Sequence, residues 1–130
     1  MMERTALNSE RRKFKRVKVT FSIRYKVNQP LYVCMRVANQ DINAIMLDLS
    51  EMGMSISTNY NIPAGTVLSI KFTLINDAAV NDEDSIYSMQ IEGKVCNSSL
   101  IDEQEYRLGI RFTIIPNEAR LKIAKFVSMI

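Results

Sequence analysis

From Val17 to Val27 the sequence alternates without a break: Val17, Val19, Phe21, Ile23, Tyr25 and Val27 are apolar, and Lys18, Thr20, Ser22, Arg24 and Lys26 between them are polar. A period of two over that length, in β-branched and aromatic residues, predicts a long strand with one face on a core and one in water. Such a strand needs neighbours of the same kind, most simply antiparallel ones. The chain supplies candidates. After the break at Asn28-Gln29-Pro30, Leu31, Val33, Met35 and Val37 alternate with Tyr32, Cys34 and Arg36, which predicts a second strand. A polar turn over Asn39 to Asn43 follows. Ile45, Leu47 and Leu49 then read as an inward face, sending Met46, Asp48 and Ser50 outward together. Beyond Glu51-Met52-Gly53 the alternation resumes at Met54 and Ile56, and after the turn signal Pro63-Ala64-Gly65 it returns in Leu68, Ile70, Phe72 and Leu74. Tyr87, Met89, Ile91, Gly93 and Val95 form a further face, with Gly93 a candidate bulge or close backbone approach. A reversal is expected over Leu100 to Glu105, and Tyr106, Leu108, Ile110 and Phe112 alternate with Arg107, Gly109 and Arg111 in the last strand.

The period then changes. After Pro116 and Asn117, which suit a helix start, Ala119, Ile123, Phe126, Val127 and Ile130 recur at helical spacing opposite Arg120, Lys122 and Lys125. Six or seven strands followed by one amphipathic helix predict a mainly β fold. The expected form is an antiparallel barrel or strongly curled sheet, with the helix covering an open end or edge. At 130 residues there is room for one domain with a core that needs no staples. Residues 1 to 14 read as a flexible basic arm and 15 to 130 as the globular unit. The acidic stretch Asn76 to Asp84 reads as an exposed loop without EF-hand spacing.

Charge separates these parts. Nine of the 17 Lys and Arg residues lie in the first 26 positions, against Glu3 and Glu10 alone. That asymmetry points to an anionic partner. The chain has no histidine, and Cys34 and Cys96 form no CxxC pair. Ser-His and Cys-His nucleophilic schemes and most zinc sites are thereby excluded, and neither a catalytic centre nor a metal site is expected. No apolar run approaches the ~18 residues that cross a bilayer. The expected setting is cytoplasmic, with reduced thiols.

Two short patterns remain as candidate chemistry: Arg12-x-x-x-Arg16 before the first strand, and Asp48-x-Ser50-x-x-Gly53 at a strand junction. In an extended chain Arg12 and Arg16 share a face roughly 13 Å apart, a span that suits the two ends of a dinucleotide-sized anion. An arginine fork matches the N7 and O6 acceptors of guanine, and a carboxylate such as Asp48 suits its N1 and N2 donors. Taken singly, the first pattern also fits a solvated basic arm and the second an ordinary hairpin.

In their order and spacing, followed by Tyr106-Arg107-Leu108-Gly109-Ile110-Arg111-Phe112 and a C-terminal helix, these motifs make the chain resemble the PilZ domain family over about residues 10 to 130. The resemblance implies a six-stranded antiparallel β-barrel with one C-terminal α-helix, acting as a receptor for the bacterial second messenger cyclic di-GMP. It implies binding without turnover, with no cofactor beyond that ligand. The RxxxR arginines fall on Arg12 and Arg16, the guanine-binding acid on Asp48, and the serine and glycine on Ser50 and Gly53. Arg11 stands where a family arginine goes with binding a stacked pair of ligand molecules. The implied output is a conformational or surface change passed to a protein partner, in processes such as motility, exopolysaccharide production or virulence. DNA, RNA and membrane insertion are not expected. An interaction module that keeps the barrel but works without nucleotide is the alternative. A single-strand RNA-binding barrel would want aromatics on the wet face, whereas Phe21, Tyr25, Phe72, Tyr106 and Phe112 fall in the inward phase.

Overall fold

A computed structural model describes residues 14–75 and 86–130. Most of the expected basic arm, including Arg11 and Arg12, and the acidic stretch from Asn76 to Asp84 lie outside the described residues. Six strands, β1 (Val17–Gln29), β2 (Ile42–Leu49), β3 (Gly53–Thr58), β4 (Val67–Ile75), β5 (Ile86–Asp102) and β6 (Glu105–Ile114), close a barrel in the order β1-β2-β3-β6-β5-β4, every pair antiparallel. Two helices complete it: α1 (Leu31–Arg36) between β1 and β2, and α2 (Asn117–Ser128) after β6.

Alternation decides what fills the ring. Ile23, Tyr25 and Val27 of β1 meet Ala44 and Met46 of β2, Leu68, Ile70 and Phe72 of β4, and Leu108 and Ile110 of β6 in one continuous core. The Tyr25 hydroxyl, carried into that core by its ring, shares a 2.8 Å hydrogen bond with the Thr58 hydroxyl. This pairing meets the requirement that buried polar atoms find partners. Ala119, Ile123, Phe126 and Val127 of α2 enter the same core. Phe126 stacks obliquely on Phe21 of β1 at 5.8 Å, and the Lys122 ammonium sits 5.6 Å from the Tyr87 ring of β5. The helix therefore meets β1 through its apolar stripe and β5 through Lys122, which lies off that stripe. Ile130, expected on that stripe, lies beyond the helix and is exposed.

Three local expectations are corrected. Residues 31–36 form a helix, not a strand: Val33, Cys34 and Val37 are buried, a helical spacing, while Leu31 and Met35 are exposed. Over so short an apolar run the two periods cannot be told apart, and Leu, Met and Arg are good helix formers. The Pro30 carbonyl accepts from the Val33 and Cys34 amides, the Cys34 thiol donates to the Val27 carbonyl, and the left-handed backbone of Ala38 and Asn39 ends the turn. In β2 the inward residues are Ile42, Ala44 and Met46, not Ile45, which is 45% exposed. A register shift between Met46 and Asp48 against β3 then resets the phase, so that Leu49 faces inward as expected. Ser50, expected outward, is buried. β5 continues to Asp102, well past Val95, and reverses at Glu103-Gln104, with Gln104 at φ 53°. Gly93 meets both of its expectations. The β5–β6 register shifts beside it, and a Cβ there would lie 3.1 Å from the Arg111 backbone oxygen, besides 2.6 Å from the Ile110 Cγ2.

Candidate functional site

The link from β2 to β3 is built by Ser50. Its amide donates to the Gly53 carbonyl at 2.9 Å, its hydroxyl accepts from the Met52 amide at 3.2 Å, and the same hydroxyl reaches the Gly53 carbonyl at 3.4 Å. Serine is used here as a turn former whose side chain copies a backbone contact. Gly53 answers a different need. Its φ is not left-handed; instead β6 runs so close that a Cβ would fall 2.1 Å from the Ile110 carbonyl oxygen. The turn is thereby pressed against β6, and the Phe112 amide donates to the Met52 carbonyl at 2.9 Å.

Asp48 projects beside this junction. One carboxylate oxygen, Oδ1, accepts from the Ser55 amide at 3.0 Å, and the other, Oδ2, accepts from Arg107 Nη2 at 2.9 Å. The carboxylate is only 14% exposed, whereas its arginine partner is 46% exposed. Arg16 immediately precedes β1, and because Val17 pairs with Leu49 it arrives next to Ser50. Together Arg16, Asp48, Ser50 and Gly53 line one hollow of about 400 Å³, completed by Ser55, Cys96, Asn97, Arg107, Gly109 and Arg111 among others. The four motif residues come from two stretches more than thirty residues apart. The barrel makes them neighbours.

Sequence reasoning missed the contribution of β6. Arg107 and Arg111 occupy its outward positions on either side of Gly109, over which the Asn97 side chain packs so closely that a Cβ would lie 2.8 Å from it. The available signal was the pattern Arg107-x-Gly109-x-Arg111, two cations and a bare backbone on the wet face of one strand. With Arg107 paired to Asp48, Arg16 and Arg111 leave the lining cationic, a balance that selects anions. A larger hollow of about 1110 Å³, lined both by core residues such as Ile23, Ala44, Phe72 and Met89 and by outward ones such as Arg24 and Lys71, contains none of the motif residues, so size alone does not locate the site. Among the described residues no three Cys, Asp or Glu side chains converge as for a metal, and no helix is long and apolar enough to cross a membrane.

The profile of the PilZ domain family matches residues 10–128. No curated protein matches the sequence. Among solved structures, the Bacillus subtilis inhibitor of motility MotI/DgrA superposes with a TM-score of 0.68 at 11% identity, covering 91% of this chain and 50% of that one. The PilZ domain of YcgR from Escherichia coli, solved with c-di-GMP, gives 0.60 at 15% identity, covering 92% of this chain and 90% of that one. The K. pneumonia MrkH–c-di-GMP complex gives 0.59 at 12% identity, covering 91% and 50%. The chain thus spans about half the length of MotI/DgrA and MrkH and nearly all of the isolated YcgR domain. At these identities the likeness is one of fold.

Proposed function

The chain belongs to the PilZ domain family, and on that premise we propose that it is a receptor for cyclic di-GMP that passes the signal to a protein partner as a change of surface. The observation that carries this reading is the convergence of Arg16, Asp48, Ser50 and Gly53 on one cationic hollow. Two structures similar to this chain, those of YcgR and MrkH, contain c-di-GMP. In this reading Arg16 and Arg12 meet phosphate oxygens and the purine edge through charge-assisted hydrogen bonds. Asp48 accepts from the N1 and N2 donors of guanine. Ser50 and Gly53 hold the junction that aims Asp48, Gly53 by admitting the β6 backbone against it. Residues 1 to 14 act as an arm whose charge repulsion falls when two phosphates arrive, so that ligand orders part of it. No step makes or breaks a covalent bond. The site works by binding, and the output goes to protein in the cytoplasm, with no role for DNA or RNA.

Isothermal titration with cyclic di-GMP tests the proposal. The parent binds, and Arg12→Ala and Arg16→Ala each cost at least ~2 kcal/mol, the range for hydrogen bonds to charged groups. A folded parent that takes up no ligand would instead indicate an interaction module working without nucleotide. Two folded variants that bind like the parent would show that the arginines are not the site.

A further inference from the structure

Building on the reading of Asp48 as the guanine acceptor, we infer that Arg107 is the positioning residue for that recognition, acting through Asp48 and not on the ligand. An ionised carboxylate has about four lone-pair positions, two on each oxygen. In Asp48 one position on each oxygen is already used: Oδ1 by the Ser55 amide at 3.0 Å and Oδ2 by Arg107 Nη2 at 2.9 Å. One position remains on each oxygen. That is the demand of guanine, whose N1–H and N2–H are parallel donors needing one acceptor apiece. Adenine offers one donor and one acceptor on the corresponding edge, and the acceptor would face a carboxylate oxygen.

The two occupied positions are held by very different groups. The Ser55 amide is part of the β3 backbone and fixes one oxygen, but a single bond leaves the carboxylate free to rotate about χ2. Arg107 removes that freedom. It comes from β6, across β3 from β2, and its Nη2 also donates to the Ser55 hydroxyl at 3.4 Å. The acid nearest to it on its own strand, Glu105, does not compete, because its Oε1 accepts from the Ser57 hydroxyl at 2.6 Å. Arg107 also sets an opposite charge 2.9 Å from a carboxylate that is only 14% exposed. Lys18 stands opposite Asp48 on β1, but no hydrogen bond or ion pair joins the two. The guanidinium of Arg107 therefore does for Asp48 what a second hydrogen bond does for a metal-binding histidine. It settles which way the acceptor points.

The experiment is a double-mutant cycle between Arg107 and Asp48, read by titration with cyclic di-GMP and cyclic di-AMP, with thermal melts to verify folding. Arg107→Gln is expected to weaken cyclic di-GMP by roughly tenfold, the scale of one charge-assisted hydrogen bond, and to leave cyclic di-AMP nearly unchanged. Arg107→Lys, which keeps the charge, should recover most of the loss. In an Asp48→Ala background Arg107→Gln should have no further effect, since there is no acceptor left to position. A loss that persists in that background, or one of equal size for both nucleotides, would mean that Arg107 touches the ligand directly and would overturn the inference. A parent that binds normally beside an Arg107→Gln that binds equally well would overturn it too while leaving the receptor reading intact. A parent that binds neither nucleotide removes both.

Discussion

Gly53→Ala is the sharpest perturbation of this architecture, because one methyl group meets an immovable neighbour. An ideal Cβ at this position lies 2.1 Å from the Ile110 carbonyl oxygen and 3.2 Å from its carbon, and real Cβ atoms do not approach backbone below about 3 Å. Relief requires β3 and β6 to separate by the better part of an ångström where Gly53 pairs with Arg111. That movement strains the Met52–Phe112 bond and the Ser50 turn together. Overpacking of this kind costs about 1–3 kcal/mol, and backbone on both sides of the contact places this case at the upper end, about 3 kcal/mol. For a domain of this size that corresponds to a melting temperature lower by about 10 °C, measured by circular dichroism or calorimetry. The control is Gly65→Ala. Gly65 has φ 93° and open space around its Cβ position, so its cost is backbone strain alone, about 1–2 kcal/mol. Cyclic di-GMP affinity should fall for Gly53→Ala, since Ser55 and Asp48 move with the strand, and stay unchanged for Gly65→Ala. A Gly53→Ala protein that melts within a degree or two of the parent would refute the steric account and return this glycine to the role of an ordinary turn residue.

Arg11 adds a third guanidinium beside the RxxxR pair, and its place in the family pattern implies two stacked ligands per chain; titration should give a stoichiometry of two, falling to one in Arg11→Leu. A stoichiometry of one in the parent, or amide exchange at residues 8 to 14 that ligand leaves unaltered, would count against the folding of the arm onto ligand. Burial pushes the Tyr25 phenol up to about 12, with the Thr58 hydrogen bond opposing in part. Because the folded value lies above the unfolded one, this contribution is fully present below pH 10 and is lost between about pH 10 and 12, where the unfolded chain ionises first. The loss is roughly 3 kcal/mol, and urea denaturation across that range should fall less steeply in Tyr25→Phe than in the parent.

The parts of this fold that were legible in the sequence are those where burial follows a strict period. β1 reads directly from Val17 to Val27, and α2 from Ala119 to Val127, because each keeps one face on the core for its whole length. Where a local event breaks the period, sequence reading fails in a specific way. The register shift after Met46 puts Ile45 in water and Met46 in the core, and no residue type announces it. In α1 the alternation Leu31, Val33, Met35, Val37 is real, yet the buried set Val33, Cys34, Val37 fits a helix just as well. The candidate site divides likewise. Asp48, Ser50 and Gly53 are close in sequence and form a recognisable junction, whereas Arg107 reaches Asp48 only because β6 follows β3 around the ring. Contacts of that separation leave no spacing to read.

Closure of the ring bears on how such a chain meets copies of itself and other polypeptides. A segment such as Val67 to Ile75, Val-Leu-Ser-Ile-Lys-Phe-Thr-Leu-Ile, has the composition of a self-associating strand, and on an open sheet its unpaired amides and carbonyls would template aggregation. Here it lies between β5, which pairs with it from Val67 to Ile75, and β1, which pairs with it from Val67 to Phe72. The same pairing denies a visiting polypeptide the commonest generic mode of attachment, in which its backbone extends a sheet. What the ring presents outward is side chains, so discrimination between visitors falls to their identity and charge, and single outward substitutions can redirect it without disturbing the ring that carries them.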